Sequence, residues 1–563
     1  MAGRAARIAC RPTGCRPTGC SAETMPQASR TPETAATAGA ANLYRAYTTG
    51  HTGSSRVPAE RCGIKGLGPR DASAARAPYK LREAEPAPRG NRGPRGAVPV
   101  LLALAAALLA RASPAWAHTG EGGFVLLLPT GYYLAGGTAA VAISFALVAW
   151  VPVEPLRRRF AARRYLFALP PLERVAVSAC SFALLVALVA AGFIGNTDPL
   201  DNPLPLFVWT VWWVGLVAVQ ALLGNLWWGL NPWIAPAAFV TWILGRRGRP
   251  PPLAYPAALG LWPATLALLA FAWFELIDPA PADPTRLAVA VLLYSAWAIG
   301  GMVLFGRDAW LQSGEPFSIF FGLIARLSPL NLARRELALV PPGAQVLDLP
   351  ALPFSGVAFV LLALSAVTFD GLSRTFWWLG WGGVNPLEFP GRSAVMGFMS
   401  FGLVATWALL LACYAAAIAL GTRLAGPGRL PGAAVMGALV VSILPISLAY
   451  HLAHYLTTFL VNIQDAAVAA SDPFEREWDL FGTAQDHVDT GMLTSFHSVR
   501  IIWNVEAAII VLGHMLAVAL AHLRAHAIWP TRAQALRGEA PLAVLMILYT
   551  LFGLWLLATP SAG

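Results

Sequence analysis

Ten stretches of the 563-residue sequence stay apolar for roughly the 20 residues that a helix needs to cross a bilayer: 130–151, 172–194, 206–227, 256–277, 286–305, 354–373, 394–420, 434–463, 500–522 and 541–558. Lipid offers no partner for a bare peptide group, and runs of this length satisfy their own backbone only as helices. The expected fold class is therefore all-α, a polytopic membrane helix bundle of about ten transmembrane helices. The composition agrees, with 57% hydrophobic and 12% charged residues.

Arginine in the short loops sets the orientation. "RRRFAARR" (157–164), "GRRGR" (245–249), Arg326 with Arg334 and Arg335, Arg423 with Arg429, and Arg524 through Arg537 mark one side. The alternate loops "GNTDPLDNP" (195–203) and "DPAPADP" (278–284) hold no Lys or Arg. This pattern places the arginine loops in the cytoplasm and both mature termini outside. Two short Trp- or Phe-rich pieces, 227–244 and 315–330, read as membrane-surface anchors. The polar segment 464–499 is an external loop long enough to act as a lid.

The net charge of +11 belongs almost wholly to residues 1–97, which hold 16 Lys+Arg against 6 Asp+Glu. They also hold both lysines, Lys65 and Lys80, and the repeat "CRPTGCRPTGC". With no hydrophobic periodicity and no zinc-finger spacing, this segment reads as a disordered basic extension that is not part of the mature protein. Residues 98–117 read as a signal peptide, with Ala115-Trp116-Ala117 before the cleavage site. The mature transmembrane domain, 118–563, would then begin at His118, whose amine and ring together can bind a metal. Cys180 and Cys413, inside apolar spans, read as packed thiols.

An ionisable group within a span is costly, so each one is a functional candidate with a partner to be found. His451 and His454 lie three residues apart in "AYHLAHYLTTFL" (449–460), about 60° apart around a helix, beside Tyr450 and Tyr455. Asp370, in "SAVTFDGLSRTFWW", lies near the end of the sixth span and needs a cation, a proton or a metal. Glu506 and His514 share the ninth span. The topology puts His118, Asp370, His451, His454, Glu506 and His514 in the outer half of the membrane, a set of nitrogen and carboxylate ligands that suits a divalent metal ion. Asp370, His451 and His454 are the catalytic candidates. The plainer reading of the same residues is a hydrogen-bond network that fastens helices together.

No phosphate loop, nucleophile elbow, zinc-protease helix or dinucleotide fingerprint is present in the sequence. Topology already accounts for the basic residues of the loops, so a nucleic-acid partner is not expected.

The stretches "GLNPW" (229–233), "VTFDGLS" (367–373), "PISLAYHLAHYLTTFL" (445–460), "SDPFEREWDLFGTA" (471–484), "WNVEAAIIVLGHMLAVALAH" (503–522) and "LYTLFGLWLL" (548–557) occur in this order. In them the chain resembles the fenitrothion hydrolases, integral membrane proteins found mostly in bacterial genomes. The resemblance covers roughly residues 118–560. It implies hydrolysis of an organophosphorus triester (an aryldialkylphosphatase activity), with release of a substituted phenol and a dialkyl thiophosphate, in the bacterial cytoplasmic membrane. A metal ion could supply the hydroxide and polarise the phosphoryl group. A two-metal centre bridged by a carboxylated lysine is a poor model, because no lysine follows Lys80. An apolar substrate would reach the site through the bilayer. Two other classes remain open from the residues alone: a transporter of metals or small molecules with a His/Asp/Glu intramembrane site, and a structural factor.

Overall fold

The computed structural model describes residues 130–168, 172–333, 336–385, 388 and 391–559. The basic extension, the signal peptide, His118, Arg334 and Arg335 lie outside the described residues.

Among the described residues, nine helices are long and apolar enough to cross a membrane: α1 (Thr130–Trp150), α2 (Arg174–Ile194), α3 (Pro203–Leu223), α5 (Pro284–Phe305), α6 (Phe354–Ser373), α7 (Arg392–Ala425), α8 (Gly432–Ser471), α9 (Phe496–Ile528) and α10 (Arg532–Ala558). The remaining apolar stretch, expected at 256–277, forms the shorter helix α4 (Trp262–Leu276). Pro256 and the positive φ of Gly260 bound its first residues, Ala257–Leu259, as one short 3-10 turn set off from the α-helix. At its start, the Ser355 hydroxyl accepts from the Leu261 N–H, 2.8 Å away, at the first turn of α6. Its other end meets α6 again where Ala272 packs in one cluster with Phe369 and Leu372, so α4 runs parallel to α6 over most of its length despite having only 15 residues.

Loop residues 195–202 and 277–283 define what we term the upper end of the bundle. At the lower end, arginines bind carbonyls: Arg524 donates to Val346 and Leu349, and Arg532 to Ala149 and Trp150. The "RRRFAARR" stretch is helical through Ala161, and residues 164–168 after it form a three-stranded antiparallel sheet here with 330–333 and 336–339. Strand β3 (Glu336–Leu339) lies between β1 (Arg164–Ala168) and β2 (Leu330–Ala333), with Arg164 opposite Leu339.

The helices divide into a core pair and a shell. Over their most apolar windows α6 is 83% and α8 72% buried, against 22% for α2 and α7. Close approach holds the core: a Cβ at Gly553 of α10 would overlap the Tyr450 hydroxyl, which donates to the Tyr549 carbonyl at 2.9 Å.

Three expectations need correction. The Pro316–Ile324 helix is no surface anchor: Phe317, Phe320 and Phe321 are buried against Trp212 and Trp213 of α3. Its N-terminus is inside the protein because Glu315, itself fully buried, accepts the Phe317 and Ser318 N–H groups. Cys180 and Cys413 are exposed on the outside of the bundle and not packed. Helix α8 continues to Ser471, so the expected 464–499 loop is shorter than read. That loop is pinned to Asn196 by Glu475 and to Gln464 of α8 by Asp489.

Helix α3 departs from regular geometry. Ten residues, Leu206–Gly215 ("LFVWTVWWVG"), have π-helical hydrogen bonding, which closes one residue later than in an α-helix and is frequent at functional sites.

Candidate functional site: a histidine–aspartate pair at the upper end of α6 and α8

Asp370 lies one turn before the end of α6 and is buried. Its Oδ2 accepts from His454 Nε2 of α8 at 2.7 Å and from the Tyr455 hydroxyl at 3.2 Å. Arg374, four residues on in the same helix direction, reaches Oδ1 with Nε at 3.0 Å and with its terminal nitrogen at 2.9 Å. The carboxylate thus receives the cation that its burial demands. The same carboxylate holds the Arg374 guanidinium more firmly protonated than usual.

Tyr455 shares its single hydroxyl proton between Asp370 and Glu275 Oε1 of α4, the latter at 2.9 Å, and the Trp213 indole N–H reaches that same Glu275 oxygen at 2.8 Å. Arg392, at the start of α7, donates to the Glu275 and Asp278 carbonyls. Five helices, α3, α4, α6, α7 and α8, therefore meet at one level. A carboxylate accepts only, so His454 carries its proton on Nε2 and leaves Nδ1 with a free lone pair when neutral. The His454 side chain is 25% exposed, whereas that of Asp370 is 3% exposed. An oriented imidazole with one accessible nitrogen is the arrangement of a general base.

The other candidates go elsewhere. His451 Nε2 donates to the Trp213 carbonyl at 2.8 Å, and its ring meets that indole edge-on at 4.9 Å. The 60° between His451 and His454 is enough for one to face α3 and the other α6, because α8 is packed between them. Glu506 accepts from Thr457 at 3.0 Å, and His514 Nδ1 donates to the Ile510 carbonyl of its own helix at 2.8 Å. Among the described residues, no three His, Cys, Asp or Glu side chains are grouped so as to hold a metal ion. In this arrangement Nε2 of His454 and Oδ2 of Asp370 are engaged with each other and His451 with a carbonyl. The described residues do not form a ligand set for a metal ion.

Glu275, Tyr455, Arg374 and Trp213 complete the site but were not among the sequence candidates. Glu275 had a legible signal, as the one carboxylate in "TLALLAFAWFEL", and the rule that singled out Asp370 applies to it equally. Arg374 had one too, four residues from Asp370 and so on the same face. Trp213 had none, since its carbonyl and indole act through the π-helical turn.

Compared with models of protein families, with curated proteins and with solved structures, the chain matches none.

Proposed function

We propose that the protein is a membrane-bound hydrolase in which the Asp370–His454 pair activates water against an apolar ester. The organophosphorus triester implied by the sequence resemblance is the favoured substrate class. The observation that carries this reading is the 2.7 Å contact that fixes Nε2 of His454 while its ring stays a quarter exposed. Asp370 orients the ring. Nδ1 takes a proton from water as the water oxygen bonds to phosphorus, the aryloxide leaves, and the proton passes from His454 to the product. Arg374 supplies counter-charge to Asp370, and Tyr455 and Glu275 hold the pair from the α4 side. The arginine-rich lower loops support a cytoplasmic lower end, which would put this site on the outer, periplasmic face of a bacterial inner membrane.

The test is release of nitrophenol from a fenitrothion-type triester by protein purified in detergent, with no membrane gradient. The reading expects turnover in wild type and its loss in His454→Ala. A well-folded wild type that releases nothing overturns it. His451→Ala and chelation address the metal expectation: a metal-bound pair predicts that both abolish turnover, whereas the hydrogen-bonded pair predicts that activity largely survives them.

A further inference from the structure

A cavity of about 990 Å³ lies beside the site, walled by α2, α3, α4, α5 and α8. It is at the top of the ~300–1,000 Å³ range of small-molecule sites, in a class of molecule whose interiors rarely leave voids larger than a water. Its lining carries no charged side chain, and 11 of its 31 residues are aromatic, among them Trp209, Trp212, Trp297, Phe271, Phe274 and Phe459. Ion passage is thereby disfavoured, and a flat uncharged guest is suited by the edges and faces on offer.

The segments flanking α4 are joined to α5 at both ends, and the two helices barely touch in between. At the upper end, Arg286 pairs with Asp278 at 2.7 Å. At the lower end, the Leu253 N–H donates to the Leu304 carbonyl at 3.0 Å. Between these pins Leu266 of α4 and Leu293 and Trp297 of α5 line the cavity and are exposed. Asp370, His454, Tyr455 and Glu275 do not line the cavity; Trp213 stands between its inner wall and the site. Phe271 lines the cavity and packs 4.7 Å, ring to ring, from Trp213, whose N–H bonds Glu275. Phe459 lies one turn beyond Tyr455 on α8.

We infer that this cavity binds an uncharged aryl compound that enters from the bilayer between α4 and α5, and that it holds the substrate's aryl group for the Asp370–His454 pair. The second half of this statement rests on the hydrolase reading above; the first half does not.

The experiment uses full-length protein in phospholipid nanodiscs and an uncharged, non-hydrolysable aryl probe bearing a photoreactive diazirine, with labelled peptides mapped by mass spectrometry. Saturable labelling is expected on α3, α4 and α5, unchanged by His454→Ala. Filling the cavity by Ala290→Trp or Ala267→Trp should weaken it by at least about tenfold, a difference of about 1.4 kcal/mol. The same variants should raise KM for a triester with little change in kcat. Labelling that is spread evenly over lipid-facing helices such as α7, or that acyl chains leave unsaturable and both filling variants leave unaltered, overturns the inference. Thermal unfolding of each variant in the same nanodiscs separates a filled cavity from a misfolded protein. Saturable cavity labelling with no turnover in any protein would remove the hydrolase reading and keep the binding site. Turnover with no effect of either filling variant on labelling or KM would do the reverse.

Discussion

Among the described residues are two histidine–carboxylate pairs with the same nitrogen–oxygen distance of 2.7 Å, His454–Asp370 at the upper end and His522–Glu539 at the lower. Distance does not distinguish them; surroundings do. His454 is a quarter exposed, and Asp370 also binds Arg374 and Tyr455. His522 and Glu539 are each 1% exposed, and His522 Nε2 and Glu539 Oε2 have no hydrogen-bond partner among the described residues. The His526 ring lies against that of His522, centroids 4.2 Å apart and planes tilted by 57°, and donates from Nδ1 to the His522 carbonyl. A pair with an open nitrogen and a nearby guanidinium can exchange a proton with a guest. A sealed pair without such a cation joins α9 to α10 and can exchange with nothing unless the helices part. The comparison teaches that a buried His–carboxylate contact marks a working site only when one of its atoms remains reachable.

The largest effect should separate the two pairs by activity. His454→Ala is expected to lower triester hydrolysis by about 10²- to 10⁴-fold, the range for removal of a general base, while His522→Ala keeps hydrolysis within a few-fold. Equal losses in both would erase the distinction. Stability should separate them in the opposite sense. His522→Ala strands Glu539 in apolar surroundings, a change of about 3–5 kcal/mol, visible as earlier thermal unfolding in detergent. The double variant His522→Leu, Glu539→Leu should recover much of that loss, since an apolar pair strands no charge. If the single and double variants unfold alike, the lower pair is not the fastening described.

A smaller effect tests the cation. Arg374→Gln should slow hydrolysis by about tenfold, equivalent to about 1.4 kcal/mol, with Arg374→Lys recovering part of it. A neutral result would leave Tyr455 and His454 as sufficient partners for Asp370. The smallest probes the open edge of the ring. A methyl added at Gly371 would lie 3.8 Å from His454 Cε1 and 3.9 Å from Nδ1, in ordinary contact. Gly371→Ala should therefore change the rate by about twofold or less and stabilise α6 by up to about 1 kcal/mol. A collapse of the rate would place the approach to Nδ1 over Gly371.

Much of this was legible in the sequence because a bilayer imposes a length on every apolar run. All ten runs became helices, and α4 fell short only where Pro256 and Gly260 shorten it. Asp370 and His454 were legible for the same reason, since a charge within such a run stands out. Direction was harder to read. Spacing put His451 and His454 on one face, but which neighbour each would meet depended on α8 lying between α3 and α6. The fate of Pro316–Ile324 was hidden too, because a short aromatic helix has the same composition on a membrane surface as under α3. Glu315, a carboxylate one residue before a proline, was the one hint that this helix starts inside the protein.

The π-helical run in α3 gives the molecule a length-sensitive element. Residues 206–215 set which indoles face the cavity and which faces Glu275: Trp209 and Trp212 line the first, and Trp213 serves the second. Removing one residue would rotate everything on one side of the deletion by about 100° relative to the other wherever the run does not tighten toward the α-helical ladder to offset it. Trp212 and Trp213 could not then both keep their places. In this part of the chain a deletion would be felt more sharply than most substitutions, because it alters the phase between guest pocket and acid–base pair without changing the chemistry of either.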